Sequence, residues 1–459
     1  MRALIRISVA LPLLVLGSGC SLTVPDYNGI GLGDLEANPT KATIASAITG
    51  ILVMSRSENL SPQVGYIESI GMMGRESYTL DVSNPGTARD RFDVLVSGRA
   101  GAVWQLAYQS IRQQTVILKA IDAVADMTAA EKEAVQGFIQ TIQARDLLYV
   151  INLMEVGAIA DIKPDPGGPL APIVPKVQVF ARIVQLLDQA KAHLQNGGAS
   201  FPMPLGPGFA GFDTPASFLG ANRALKARVD VYLGNYSTAL TELGESFLNT
   251  SAGLTLGVYD AFSTNSGDVS NVYYDPLPRI IYSHPSDVTD AQQRTDGTAD
   301  LRVAAKVAPI TPKLQIGYQV DGRLLVYNSP NAFIPIIRNE ELILLRAEAN
   351  LGLNNTSAAI ADINLIRVNA GGLPPISDPY VPNAALGQPA TLLDELLYEK
   401  RYSLLFEGHR WIDLRRYGKL TTLPKAHPTD QIFPWFPLPD DECVLRSQAP
   451  PGCTPPAGM

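Results

Sequence analysis

Three carboxylates and an imidazole crowd one short stretch: Glu399, Glu407 and Asp413, with His409 between the last two. Paired carboxylates beside a histidine are equipment for general acid–base work. In glycoside hydrolysis one acid protonates the leaving oxygen while the other attacks or activates water. The same stretch carries Arg401, Arg410, Arg415 and Arg416. Glu395 and Glu399 stand four residues apart, as do Glu399 and Ser403, and Glu407 and Trp411, a spacing that lines them up on a helix. With arginines on the same element, the expected use is ion pairing that fixes the helix against a preceding hairpin. No residue is therefore assigned as catalytic, and the chain is not expected to be an enzyme. His193, His284, His409 and His427 are widely separated, with no His-x-x-x-His or Cys-x-x-Cys pair, so no metal site is expected. There is no Gly-rich phosphate loop after a strand and no Gly-x-Ser-x-Gly elbow, and no cofactor is expected.

Binding chemistry is the alternative. A sugar is recognised by an aromatic ring against its apolar face and by Asn, Asp, Arg or backbone groups on its hydroxyls. Of the three tryptophans, Trp104 and Trp411 fall in helical patterns and Trp435 precedes a Pro-rich closing segment, so all three are expected to pack. Tyrosine must then serve. Tyr78, Tyr259, Tyr273, Tyr274 and Tyr282 lie in irregular regions and are expected to be exposed. Tyr273-Tyr274-Asp275 beside Asn271 is the first candidate site, with Tyr78 flanked by Arg75 and Glu76 the second. A buried strand-like packing of the first candidate is the competing expectation, because alternation buries half of such residues.

The elements that must position these residues are mostly helices. Apolar residues at helical spacing mark Ala42 to Met54, Val103 to Ala125, Thr128 to Met154 with Thr128 and Glu131 as a capping box, and Val177 to Leu194. Two later segments, Ala224 to Phe247 and Glu341 to Arg367, each break at a glycine, Gly234 or Gly352, and restart at a Ser/Thr/Ala cluster. Ala227 and Ala239 are twelve residues apart, as are Ala347 and Ala359. Small residues at that spacing let antiparallel helices approach closely, as in tetratricopeptide units of about 34 residues. The expected fold is mostly α, a helical-repeat scaffold with minor β-structure such as Arg279 to Tyr282 and Arg323 to Tyr327. Long loop excursions are expected at about 71–99, 250–335 and 371–389, where contact chemistry would reside.

The amino terminus directs the chain outward. Arg2 and Arg6, an apolar run from Val9 to Leu16 and Gly17-Ser18-Gly19-Cys20 have the layout of a secretory signal over 1–19. The small residues before Cys20 resemble a bacterial lipobox, which makes Cys20 an acylated anchor, and Ser21 in place of aspartate favours an outer-membrane address. Residues 20–459 then form a single ligand-binding domain. Cys443 and Cys453 enclose a Pro- and Gly-rich tail, where an oxidising compartment permits a disulfide. With 46% apolar and 17% charged residues the chain has ample material for a large core. Its net charge of −8, with no basic run, argues against a nucleic-acid partner.

One stretch is far more specific than composition. Glu399-Lys400-Arg401, then Leu404-Leu405-Phe406-Glu407-Gly408-His409-Arg410-Trp411-Ile412-Asp413-Leu414-Arg415-Arg416-Tyr417-Gly418, resembles the signature of the SusD/RagB family. Arg346-Ala347-Glu348-Ala349, Asn364-Leu365-Ile366-Arg367, Asp300-Leu301-Arg302, Trp104 to Ile111 and Phe436-Pro437-Leu438-Pro439 resemble further family motifs. Arg112-Gln113-Gln114 departs from it, since the family commonly has Asn there. The resemblance implies a cell-surface lipoprotein on tetratricopeptide-like helix pairs that captures nutrient, often glycan and sometimes peptide, for a SusC-like TonB-dependent transporter. The expected function is capture and delivery of oligosaccharide. A peptide ligand, a surface glycan hydrolase and a purely structural assembly lipoprotein are the alternatives.

Overall fold

The computed structural model describes residues 35, 37–57, 59, 61–86, 92, 95, 100–159, 170–446 and 448–459. The leader over 1–19 and Cys20 lie outside the described residues, as does much of the 71–99 excursion. Helices dominate, as the periodicity predicts. The first half runs α1 (Lys41–Ser57), α2 (Tyr66–Met73), strand β1 (Ser77–Thr79), α3 (Gly101–Ala120) and α4 (Ala129–Leu153). There follow β2 (Val156–Ala158), β3 (Ile173–Pro175) and α5 (Lys176–Asn196). Thr128 caps α4 as its sequence demands: the hydroxyl accepts from the Glu131 amide at 3.2 Å and the Glu131 carboxylate accepts from the Thr128 amide at 2.9 Å.

The paired helices come next: α6 (Pro215–Leu233) with α7 (Tyr236–Glu245), and, after the long excursion, α10 (Asn339–Gly352) with α11 (Thr356–Asn369). Helix α6 starts nine residues before the expected Ala224, because Thr214 and Pro215 supply an N-cap and a first-turn proline. It stops at Gly234, whose φ of 75° is the left-handed conformation that glycine adopts without a Cβ penalty. Ala227, Ala239, Ala347 and Ala359 are all fully buried, as close helix approach requires. The second pair also closes on the first at Gly352, where a Cβ would fall 2.2 Å from the Tyr236 ring. A main core forms around α4, where Phe138 sits within 6 Å of the rings of Phe201, Phe209 and Phe218. Burying each such ring contributes about 1.5–3 kcal/mol.

The 250–335 excursion holds more structure than a loop. It contains β4 (Gly257–Asp260), β5 (Ile281–Ser283), α8 (Ser286–Thr289), α9 (Leu301–Lys306), β6 (Val307–Gln315) and β7 (Tyr318–Leu324), and leads into β8 (Ile334–Arg338). Among the described residues these strands form four antiparallel pairs: β1 with β5, β2 with β3, β4 with β8 and β6 with β7. The 71–99 excursion likewise opens on the end of α2 and on β1, because Tyr78 finds Tyr282 in register across two hundred residues of chain. By contrast 371–389 is irregular apart from one short turn at Ala384–Leu386. The chain closes with α12 (Leu392–Ser403), α13 (Arg410–Arg416) and α14 (Asp440–Val444). Cys443 and Cys453 are joined by a disulfide, with Cα atoms 5.8 Å apart.

Candidate functional site

Helices α12 and α13 carry the charged stretch, and nearly every charge on them has a partner. Thr391 caps α12 by accepting from the Asp394 amide at 3.1 Å. Glu395 and Glu399 both bind the buried guanidinium of Arg367, and Glu399 also accepts from Arg302 at 2.6 Å. Lys400 lies 2.8 Å from both Glu348 and Asp413, and Arg416 reaches the same two carboxylates at 2.8 and 2.6 Å. Burial alone would raise the Asp413 carboxyl, but Lys400 and Arg416 outweigh it and hold it at about 2. Glu407 accepts from Arg338 at 2.9 Å, and burial pushes the His409 imidazole below its ordinary range. Glu399, Glu407 and Asp413 are thus committed to arginine and lysine, in the structural use expected of them. They lock α12 and α13 onto α10, α11 and the β8 end, and breaking one such buried pair costs about 3–5 kcal/mol.

The tyrosines expected at the surface are mostly interior. Tyr78 is 2% exposed, packed against Phe92, His284 and Tyr318. Tyr273 is 4% exposed between Tyr327 and Phe406, and Tyr282 is fully buried. Asn271 is buried too: its amide donates to the Ala332 carbonyl at 2.9 Å and its carbonyl oxygen accepts from the Tyr273 amide at 2.9 Å. The correction has one cause: β-pairing and the turn at Asn271 fold these residues onto the frame. Tyr259, Tyr274 and Asp275 are half-buried, and the Asp275 carboxylate accepts from the Arg279 amide at 2.8 Å. Arg75 and Glu76 are interior as well, Arg75 stacking on Phe92 and donating to the Met72 and Gln431 carbonyls. Trp104 and Trp411 are buried as expected, while Trp435 is half-buried.

A cleft of about 250 Å³ opens elsewhere, where two excursions meet the charged helices. Asp290 comes from the first excursion, Gly387 and Pro389 from the 371–389 segment, and Tyr398 and Arg401 from α12. Arg410 begins α13, and Lys419 and Thr422 follow it. The Tyr398 ring is fixed from behind: its hydroxyl donates to Asp300 and accepts from the Gln292 amide, both at 2.9 Å. Arg401 donates to Asp290 at 2.8 Å and to Asp287 at 3.2 Å. Arg410 differs from Arg401 and, like Arg415 with the Pro434 and Asn152 carbonyls, has a backbone partner only. One nitrogen donates to the Arg75 carbonyl at 2.9 Å, and among the described residues no carboxylate lies within ion-pair distance of it. Burial, then the neighbouring Arg401, pull its pKa down to about 10. The carboxyls that face it from the interior are Glu76 and Asp287, which burial raises to about 8 and about 7.

Residues 326–436, which contain α10 to α13 and most of the cleft wall, match the model of the SusD family. Over that segment the chain is similar to the SusD/RagB family. A curated relative, the SusD-like protein P38 of Formosa agariphila, is 37% identical over 87 residues, covering 19% of this chain and 17% of that protein's length. Among solved structures, B. fragilis NanU superposes with a TM-score of 0.65 at 16% identity, covering 90% of this chain and 97% of that one. A sugar-binding protein of Bacteroides vulgatus, so described provisionally, gives 0.67 at 16% identity, with 90% and 99% covered. A laminarin-binding SusD-like protein gives 0.60 at 16% identity, with the same coverage. The mostly helical, tetratricopeptide-like fold expected from the alanine and glycine spacing is the fold these SusD-superfamily structures share. Sequence reasoning did not single out the cleft. Arg401 and Arg410 sit inside the family signature and Tyr398 directly precedes it, and the missing carboxylate opposite Arg410 is visible only in three dimensions.

Proposed function

We propose that this chain is a nutrient-capture lipoprotein of the outer membrane, anchored through an acylated Cys20, that binds oligosaccharide and hands it to a SusC-like TonB-dependent transporter. The observation that carries this reading is the cleft between the loop excursions and the locked signature helices. It offers an aromatic ring at Tyr398 with hydroxyl-binding carboxylates at Asp290 and Asp394. That is the pairing of apolar face and polar groups a sugar requires. Two structural neighbours, one described as laminarin binding and one as sugar binding, point the same way. Chemistry on the bound sugar is not part of the proposal, since the carboxylates first suspected of catalysis are held in ion pairs. No helix among the described residues is long and apolar enough to cross a membrane, which suits attachment by a lipid.

Tyr274 and Asp275, the partly exposed members of the first candidate site, are proposed as outlying contacts for a longer saccharide. The test is calorimetry of residues 20–459 with Cys20 replaced by serine, against laminari-, malto-, xylo- and uronate-containing oligosaccharides and mixed peptides. Pull-down of the acylated protein with its outer-membrane partners accompanies it. Saturable saccharide binding without turnover, and co-purification of a TonB-dependent transporter, are expected. Peptide binding alone, released sugar products or a complete lack of ligand would each overturn the reading.

A further inference from the structure

The cleft wall contains one charge that the protein does not balance. Of the six charged side chains facing it, Arg401 is matched by Asp290, Lys419 by Asp394 at 2.8 Å, and Asp413 by Lys400 and Arg416. Arg410 alone has only a backbone carbonyl for a partner. The more than nine-tenths buried Arg401 also has an unpartnered Nε. Behind the two arginines the interior supplies two carboxyls: Asp287, which Arg401 already holds at 3.2 Å, and Glu76. Glu76 is buried, has no cation within ion-pair distance among the described residues, and burial favours its protonated form near neutral pH. A guanidinium held half-buried without a counter-charge is costly, and an anionic ligand group that completes the pair recovers that cost on binding.

Resting on the capture reading, we propose that the cleft binds a hexuronate residue, with Arg410 receiving the sugar carboxylate. The planar guanidinium fork matches a carboxylate bidentately. Leu397 and the Tyr398 ring offer an apolar wall, and the partly exposed Asp290 and Asp394 keep carboxylate lone pairs, beside their pairs with Arg401 and Lys419, to accept sugar hydroxyls. At about 250 Å³ the cleft is smaller than the roughly 300–1,000 Å³ of sites for drug-sized ligands, so one ring enters and the rest of the glycan remains outside.

The experiment is calorimetry of the full mature chain with D-galacturonate and D-glucuronate disaccharides, their methyl esters, the neutral galactose and glucose counterparts, and a sulfated galactose. Free uronate-terminated sugars are expected to bind about tenfold to a hundredfold more tightly than their esters, the range of one charge-assisted pair. Arg410→Gln is expected to abolish that preference. Because Arg410 also holds the Arg75 carbonyl, the exposed Thr422 at the cleft mouth gives an independent arm: Thr422→Glu is expected to weaken uronate binding about tenfold through like-charge repulsion, with Thr422→Gln as its neutral control. Equal affinity for acid and ester, a sulfated sugar bound in preference to uronate, or indifference to both Arg410→Gln and Thr422→Glu would overturn the hexuronate assignment and leave saccharide capture standing. Absence of binding to every saccharide would overturn both.

Discussion

Glu76→Gln isolates the consequence of burying a carboxyl behind the two cleft arginines. Glu76 directly precedes β1, is completely enclosed, and is raised by burial from 4.5 to about 8 despite the pull of Arg410 and Arg401, with Asp287 pushing the same way as burial. Below pH 4.5 the folded and unfolded chains both hold the proton. Between 4.5 and about 8 the folded chain keeps it while the unfolded chain releases it, so the stability contributed by this group falls as pH rises through that window and levels off above it. At about 1.4 kcal/mol per pH step the full loss is roughly 5 kcal/mol, and sharing of the proton with Asp287 brings the expectation to about 2–5 kcal/mol. Glutamine mimics the protonated acid and does not titrate. Guanidinium unfolding of both proteins from pH 4 to 9 should therefore give near-equal stability at pH 4.5 and a variant more stable by that amount at pH 8.5. A difference independent of pH, or a variant weaker at pH 8.5, would refute the burial argument.

Lys400→Met leaves Glu348 and Asp413 with Arg416 as their remaining close cation, and a loss of about 3–5 kcal/mol in denaturant unfolding is expected; a loss under about 1 kcal/mol would mean that the cluster is hydrated. Gly352→Ala drives a methyl into the Tyr236 ring and should cost about 1–3 kcal/mol. The same change in a Tyr236→Ala background should cost markedly less, and additivity in that cycle would show that the two helix pairs do not touch there. Replacing Cys443 and Cys453 by serine removes a ten-residue closure worth about 2–3 kcal/mol. Hydrogen exchange at Ile432 and Met459, which bond to one another in both directions, should accelerate while α4 amides stay protected. Uronate affinity should rise as pH falls from 8 to 6. Of the groups facing Arg410, Glu76 and Asp287 take up protons over that range, while Arg401 and Tyr402 keep theirs; a flat profile would separate those carboxyls from the cleft.

Legibility followed distance along the chain. The helix pairs could be read because their determinants are local: Thr128 with Glu131, Gly234, and alanines twelve residues apart decide caps and close approach within a few turns. The ion-pair role of Glu399 and Asp413 was legible from the arginines beside them, although the actual partners of Glu399, Arg302 and Arg367, come from elements far upstream. The burial of the tyrosines was not legible because Asn, Asp and Pro make a segment look like solvent-facing loop. Tyr78 is buried by a strand that starts at Ile281, and Tyr273 by Phe406, and neither partner is visible locally. Arg410 illustrates the reverse error. In the sequence it is one arginine of four, and only the geometry shows that Arg401 and Arg416 have carboxylates, that Arg415 meets carbonyls away from the cleft, and that Arg410 alone of the two unpaired ones lines it.

The signature helix is bolted to the earliest parts of the fold. Arg410 holds the Arg75 carbonyl, Arg415 holds that of Asn152, and the Phe436 amide bonds to Leu153, joining positions more than 250 residues apart. A chain emerging at about 5–20 residues per second reaches Arg410 roughly 13 seconds or more after Asn152. Through that interval the end of α4 and the turn after α2 lack their carboxy-terminal cover, with Tyr66, Tyr149 and Leu153 unshielded. Any factor that keeps the nascent protein extended until synthesis is complete therefore protects this seam first, and mutations in the signature should appear in cells as lost yield before they appear as lost binding.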